Sequence, residues 1–260
     1  MSLKNSLKTL IFLGLNCITD FVSTKKASVL IYHSIAYNKF HFTVSPENFK
    51  KQMEYLYKKN YNVVSLNKLI EYIKNKNIPL KTIVLSFDDG YEDNYFNVFP
   101  ILKKYNFPST IFLATNFIKQ KALNSFNTPL PMLSWRQIKE MHNSGLIDFE
   151  PHTHTHPRLT KISLESAKRE ILESRKIIEE NLNKQCKFFA YPHGEYNQEI
   201  VKFLKENNFK GAVITKEGLI SDRDDLFKLR RNYISSSTNF PQFKGRLNFS
   251  IEIFNFLFRK

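Results

Sequence analysis

From Ala27 to Ile234, short runs of β-branched and aromatic residues alternate with stretches of helical spacing. That order restricts the chain to parallel α/β architecture, in which each strand returns to its sheet through a covering helix. Ser28–Tyr32 reads as the first strand. Ser45 is a helix N-cap with Pro46 at the first helical position, and Ser65 caps a helix with Leu66, Leu69, Ile70 and Ile73 on one face. Thr82–Phe87 is almost continuously apolar, as a strand covered on both faces requires. Ser109–Ala114 is the next strand, and Ser134 with Gln137 makes a capping box for a helix over Trp135–Asn143 that Gly145 ends. Further strands are expected at Leu146–Glu150, Lys187–Tyr191, Gly211–Thr215 and Leu229–Ile234, with a long helix from Leu164 to Asn181 and another after Asn197. The total is roughly seven strand–helix units, one short of a closed eight-unit barrel. No repeat, low-complexity tract or Pro/Gly-rich linker intervenes, so residues 27–260 are expected to form one domain with a C-terminal extension.

Residues 1–26 read differently. Lys4 and Lys8 precede the apolar run Leu10–Leu15, a signal-like arrangement, but the run is short and no A-x-A site follows. Spanning a bilayer takes ~20 apolar residues. Leu7, Leu10, Ile11, Leu15 and Ile18 recur at helical spacing, which favours an amphipathic helix packed on the domain or lying on a membrane surface. The 260 residues carry 39 Lys+Arg against 24 Asp+Glu, a net charge of +15. This balance favours polyanionic surroundings without choosing among nucleic acid, phospholipid and phosphorylated glycan. No nucleic-acid module accompanies the charge, so no nucleic-acid partner is expected. Cys17 and Cys186, far apart and without a CxxC, specify neither a disulfide framework nor a zinc knot. The expected location is the cytoplasm, peripheral at the inner membrane, with export to the periplasm as the alternative.

Three polar clusters sit where expected strands end, the place where parallel barrels build active sites. Ser86-Phe87-Asp88-Asp89-Gly90 puts two adjacent carboxylates after a buried strand, where they are costly unless paired or metal-bound. Neighbouring side chains diverge, so one can ligate a metal while the other acts as a base. Taken alone, the segment reads equally as an ordinary turn. His152-Thr153-His154-Thr155-His156-Pro157 holds three of the seven histidines. Neutral imidazoles are common metal ligands, and two of them with a carboxylate leave positions open for water and substrate. Pro157 argues for a turn rather than a helical zinc motif. Phe189–Tyr196 is a strand ending in a Pro/Gly loop, suited to aiming backbone N–H groups into a site or simply to connecting two elements.

Together these segments resemble the motifs of the polysaccharide deacetylase family (NodB-like, carbohydrate esterase family 4). Ser86–Gly90 is similar to TFDDG, His152–His156 to H-[S/T]-x-x-H with Pro157 and Leu159 following, and Phe189–Gly194 to the FRPPYG type. The resemblance implies a distorted (β/α)7 barrel over residues 27–260 as the catalytic domain. It further implies Asp88 as general base, and Asp89, His152 and His156 as ligands of a divalent metal, Zn2+ foremost. His154 between them is no ligand in the family, and the backbone N–H of His193 would bind the oxyanion. The motif's Arg is Ala190 here, and no histidine follows His193 to act as the family's C-terminal acid. Leu30-Ile31-Tyr32-His33 instead resembles the circularly permuted poly-N-acetylglucosamine deacetylases, whose acid comes from the first strand; this implies His33 as general acid. Arg231, or Arg230 beside it, is the candidate to orient the base in place of the missing Arg.

The implied reaction is removal of N-acetyl groups from amino sugars of a bacterial surface glycan or its lipid-linked precursor. A glycosidase would need two carboxyl groups roughly 5–9.5 Å apart across the scissile bond and gives no reason for a histidine cluster. A non-catalytic glycan- or membrane-binding relative is the second reading, suggested by Ala190 and the basic charge. The expected partners are therefore an N-acetylated glycan or glycolipid and a peripheral membrane contact, toward which the aromatic tail Phe249–Lys260 leans.

Overall fold

The computed structural model describes residues 3–19, 24–119, 121–123 and 129–258. Contacts group the chain into two compact units, one of residues 1–85, 215–224 and 230–260, the other of residues 86–214 and 225–229. The first unit opens with α1 (Leu3–Thr19), β1 (Ser28–Tyr32), α2 (Pro46–Lys58), β2 (Asn62–Val63), α3 (Leu66–Lys74) and the first half of β3 (Thr82–Asp89). The second takes the rest of β3, then α4 (Phe99–Tyr105), β4 (Ser109–Leu113), and β5 (Lys121–Leu123) paired antiparallel with β6 (Pro129–Pro131). It continues through α5 (Trp135–Asn143), β7 (Ile147–Pro151), α6 (Leu164–Leu182), β8 (Phe188–Ala190), α7 (Gln198–Glu206) and β9 (Gly211–Val213). The chain then returns to the first unit for β10 (Asn232–Tyr233), α8 (Phe240–Leu247) and α9 (Ser250–Phe258).

The expected caps are in place, each satisfying a backbone N–H that the first helical turn would otherwise orphan. Ser45 Oγ accepts from the Asn48 N–H at 3.3 Å, and Ser65 Oγ from the Lys68 N–H at 3.2 Å. The Ser134–Gln137 box is reciprocal, with the Ser134 N–H donating to Gln137 Oε1 at 2.8 Å.

In the first unit the strand order is β10–β1–β3, with β2 also against β3. β1 pairs in parallel with β10, the last strand of the chain, in the register Leu30↔Asn232 and Ile31↔Tyr233. Asn232 is fully buried and locks this edge: its amide donates to Ser28 Oγ (2.8 Å), Gly218 O (3.1 Å) and Arg246 O (3.2 Å). α1 packs against α8 and α9. Phe12 is buried and stacks on Phe254 with centroids 4.8 Å apart, and Thr19 Oγ1 bonds Ser250 Oγ at 2.6 Å. Gly245 makes the approach possible, because a Cβ there would lie 2.1 Å from the Phe12 ring.

In the second unit the order is β3–β4–β7, and β4 and β7 run parallel in register from Ser109↔Ile147 to Leu113↔Pro151. β8 pairs in parallel with β9. α6 and α7 cover them, burying Ile171, Ile200 and Leu204 against Phe189, Tyr191 and Phe209. Glu150, fully buried on β7, accepts from the Lys187 and Phe188 N–H groups through Oε2 and from Lys184 Nζ at 3.0 Å through Oε1. The strand expected over Leu229–Ile234 is divided between partners. Leu229 bridges Val213 in the second unit while Asn232–Tyr233 pairs with β1 in the first, so no single ladder runs its length.

Candidate metal centre

β3, β7 and β8 all end at one cluster of the second unit. Asp88 is the last buried residue of β3, and Asp89 turns the chain. The Gly90 N–H donates to Asp88 O at 3.0 Å across an Asp89 held at φ +73°, a γ-turn of the strained, positive-φ kind. Gly90, at φ +86°, has no room for a side chain: a Cβ would lie 2.6 Å from Leu113 Cδ2. After β7, Thr153 (φ +68°) and His156 (φ +58°) fold the histidine segment back on itself, and the His156 N–H donates to Thr153 Oγ1 at 3.1 Å. After β8, His193 sits at φ +59° in the turn Pro192–Gly194.

These turns bring Asp89, His152 and His156 together, with one ligand atom from each within 4.8 Å of the others. His156 Nε2 lies 3.2 Å from His152 Nε2 and 3.5 Å from Asp89 Oδ1, and His152 Nε2 lies 3.7 Å from Asp89 Oδ1. Atoms each ~2.0–2.1 Å from one tetrahedral zinc would stand roughly 3.3 Å apart, so the spacing suits one ion. The protonation states suit it too. His152 Nδ1 donates to Ala190 O at 2.8 Å, which leaves Nε2 as the free lone pair on the cluster side. Burial, reinforced by His156 and opposed by Asp88, lowers the His152 pKa to about 4, so the ring is neutral at physiological pH. Two imidazoles and one carboxylate form a donor set for a divalent cation.

Asp88 is 2% exposed, and its Oδ2 lies 3.8 Å from His152 Nε2. The His193 ring stands 4.9 Å from that of His156, and burial with His156 and Arg158 nearby holds its pKa below the ordinary value. Arg158, two residues after His156, pairs with Glu195, which also accepts from Thr160 Oγ1 at 2.9 Å; this ties the loops after β7 and β8 together. His154 turns away: Nδ1 bonds Thr115 Oγ1 at 2.9 Å and Nε2 faces Glu173 at 3.5 Å.

His33 and Arg231 belong to the first unit. His33 directly follows β1 and is half-buried, its ring 5.5 Å from Tyr233 and 5.9 Å from Phe42. Arg231 directly precedes β10 and is fully buried, its N–H donating to Lys216 O at 3.1 Å.

The sequence reading passed over Glu170 on α6. Its Oε2 accepts from the His154 N–H (2.9 Å) and the Thr155 N–H (2.7 Å), and its Oε1 from Thr155 Oγ1 (2.7 Å). One carboxylate thus clamps the strained loop between His152 and His156. Glu170→Ala should weaken divalent-metal affinity about 10–100-fold, as loss of a group supporting the ligands does. Competition with a chromogenic chelator measures this, and an unchanged affinity would show that the loop holds its shape alone.

A family model described as polysaccharide deacetylase matches residues 75–212. Over 227 residues the chain is 29% identical to the poly-beta-1,6-N-acetyl-D-glucosamine N-deacetylase of Staphylococcus epidermidis, covering 84% of this chain and 74% of that protein. The structure of Streptococcus pyogenes deacetylase PplD in complex with acetate superposes with a TM-score of 0.73 at 29% identity, covering 84% of this chain and 95% of that one. IcaB from Ammonifex degensii shares the fold with a TM-score of 0.76 at 23% identity, covering 85% and 97%. The chain belongs to the polysaccharide deacetylase family, and its fold is the α/β, NodB-type distorted barrel of these structures.

Proposed function

We propose that the protein hydrolyses the N-acetyl groups of amino sugars in a bacterial surface glycan or its lipid-linked precursor. The observation that carries this reading is the convergence of Asp89, His152 and His156 beside the buried Asp88. A divalent cation, Zn2+ foremost, held by those three residues would polarise the acetamide carbonyl and acidify a water next to it. Asp88 accepts the proton of the water whose oxygen bonds to the acetyl carbon. The backbone N–H of His193 donates to the developing oxyanion. As the C–N bond breaks, the amine takes a proton from His33, and acetate and a free amino sugar leave. Arg231 is assigned to orient Asp88. His33 is supported by its place directly after β1, the strand that pairs with the last strand of the chain. The S. epidermidis relative's named substrate class supports an N-acetylglucosamine polymer.

Acetate release from N-acetylated glucosamine oligomers, with and without chelation, tests the reading. Chelator-sensitive release is expected. A protein that binds the oligomer and releases nothing would be a non-catalytic relative, the role to which Ala190 in place of the motif's Arg points. In the same assay His33→Ala should bind metal normally and lose about 10²–10⁴-fold in kcat, as removal of a general acid does. Unchanged kcat would move the acid elsewhere.

A further inference from the structure

α1 buries one side and leaves the other without a protein partner among the described residues. Phe12, Asn16 and Thr19 face α8 and α9, while Leu7 (60% exposed), Leu10 (65%), Leu13, Gly14, Cys17 and Ile18 (67%) face solvent. Those positions recur at three- and four-residue steps along the helix, so they form one stripe more than three turns long. None of them is charged, and α1 contains no acidic residue. A stripe of this kind needs a reason, because exposed apolar residues on soluble proteins are normally scattered.

The last turn of α9, a helix packed on α1, is also apolar and exposed. Phe256 is 86% exposed, with Leu257 and Phe258 also outward. Phe258 stacks on Phe254 at 5.2 Å, and Lys8 Nζ lies 5.2 Å from that same Phe254 ring. Phe254 of α9 therefore lies against Phe12 and Lys8 of α1, and the exposed apolar turn 256–258 follows it directly. Basic side chains lie on or beside the same helices: Lys8 of α1 over Phe254, and Lys26 with Nζ 5.3 Å from the Phe249 ring that precedes α9, with Lys25 exposed beside it in sequence. No described helix is long and apolar enough to cross a membrane. A short apolar face rimmed by lysines has the chemistry of a helix that lies in a lipid interface, with side chains among the acyl chains and ammonium groups at anionic headgroups.

We infer that the outer faces of α1 and α9 dock this protein on the surface of an anionic phospholipid bilayer. The lysine rim and the net charge of +15 select this occupant over a second copy of the chain, which would bring like charges together around the same patch. Docking would hold a hydrolase of the kind proposed above where lipid-linked or membrane-emergent glycans are concentrated, but it rests on a different surface and is tested separately.

The test is flotation of the full chain with vesicles of phosphatidylcholine alone or with phosphatidylglycerol. The wild type should float with the anionic vesicles at least tenfold more than with the neutral ones. Leu10→Glu/Ile18→Glu should lose at least tenfold of that binding with its circular dichroism and Tm unchanged, and Phe256→Ser should lose a smaller part. Acetate release from a soluble oligomer should be the same in wild type and variants, which separates failure of docking from failure of the hydrolytic reading. Equal partition into neutral and anionic vesicles, or none into either, would overturn the inference. So would a wild-type dimer that Leu10→Glu/Ile18→Glu turns into a monomer without any effect of vesicles.

Discussion

Asp88→Asn should leave the protein folded and able to hold a divalent ion, yet cut kcat for acetate release by about 10²–10⁴-fold. The separation of roles follows from geometry. The γ-turn sends Asp89 to within 3.5 Å of His156 Nε2, whereas Asp88 stays buried at the end of β3 with its nearer oxygen 3.8 Å from His152 Nε2. Asparagine keeps the shape and a hydrogen-bonding oxygen but cannot take a proton, so binding and turnover should part company. Metal content by plasma emission and Tm should match the wild type. Turnover within tenfold of wild type would place the base elsewhere.

Glu150→Leu should destabilise the fold by about 2–6 kcal/mol, the cost of leaving two buried backbone donors without an acceptor at about 1–3 kcal/mol each. The carboxylate is the only acceptor described for two backbone N–H groups on the path into β8, and it faces a Lys184 side chain that is 13% exposed. Leucine strands the two backbone donors away from water, while Lys184 keeps the Asp148 carboxylate and the Phe149 carbonyl. The change is large against a total stability of about 5–15 kcal/mol. Urea denaturation should show a lower midpoint at unchanged slope. A cost under 1 kcal/mol for the single change would mean that water reaches the stranded groups.

What could be read from the chain alone was whatever a short window encodes. Ser45, Ser65, Ser134 with Gln137, and Asn197 announce helix starts because a cap bonds the backbone two or three residues on. The metal cluster was readable for a related reason: each turn after a strand carries its own histidines or carboxylates, and parallel strands deliver them to one end. Glu170 and Glu150 were not readable. Glu170 serves a loop 15 and 16 residues away, and Glu150 meets partners 34 to 38 residues on, separations at which no periodicity links donor and acceptor. The helix α9 was missed within an aromatic tail, Phe249–Lys260, read only for its hydrophobicity, and α8 was missed in the stretch just before it. The break in Leu229–Ile234 depends on two separate strands competing for one β-prone run, which composition cannot reveal.

Four residues with side chains, Asp89, Thr153, His156 and His193, hold left-handed backbone around the cluster. Each such residue costs on the order of 1–3 kcal/mol, and the surrounding structure has to absorb it. A mutational library screened for heat resistance alone would therefore be drawn to glycine and asparagine at these places, since they relieve the cost at once. It would return sturdier proteins in which the groups that meet the substrate no longer stand where they should. Selection for durability and selection for turnover pull these four positions in opposite directions.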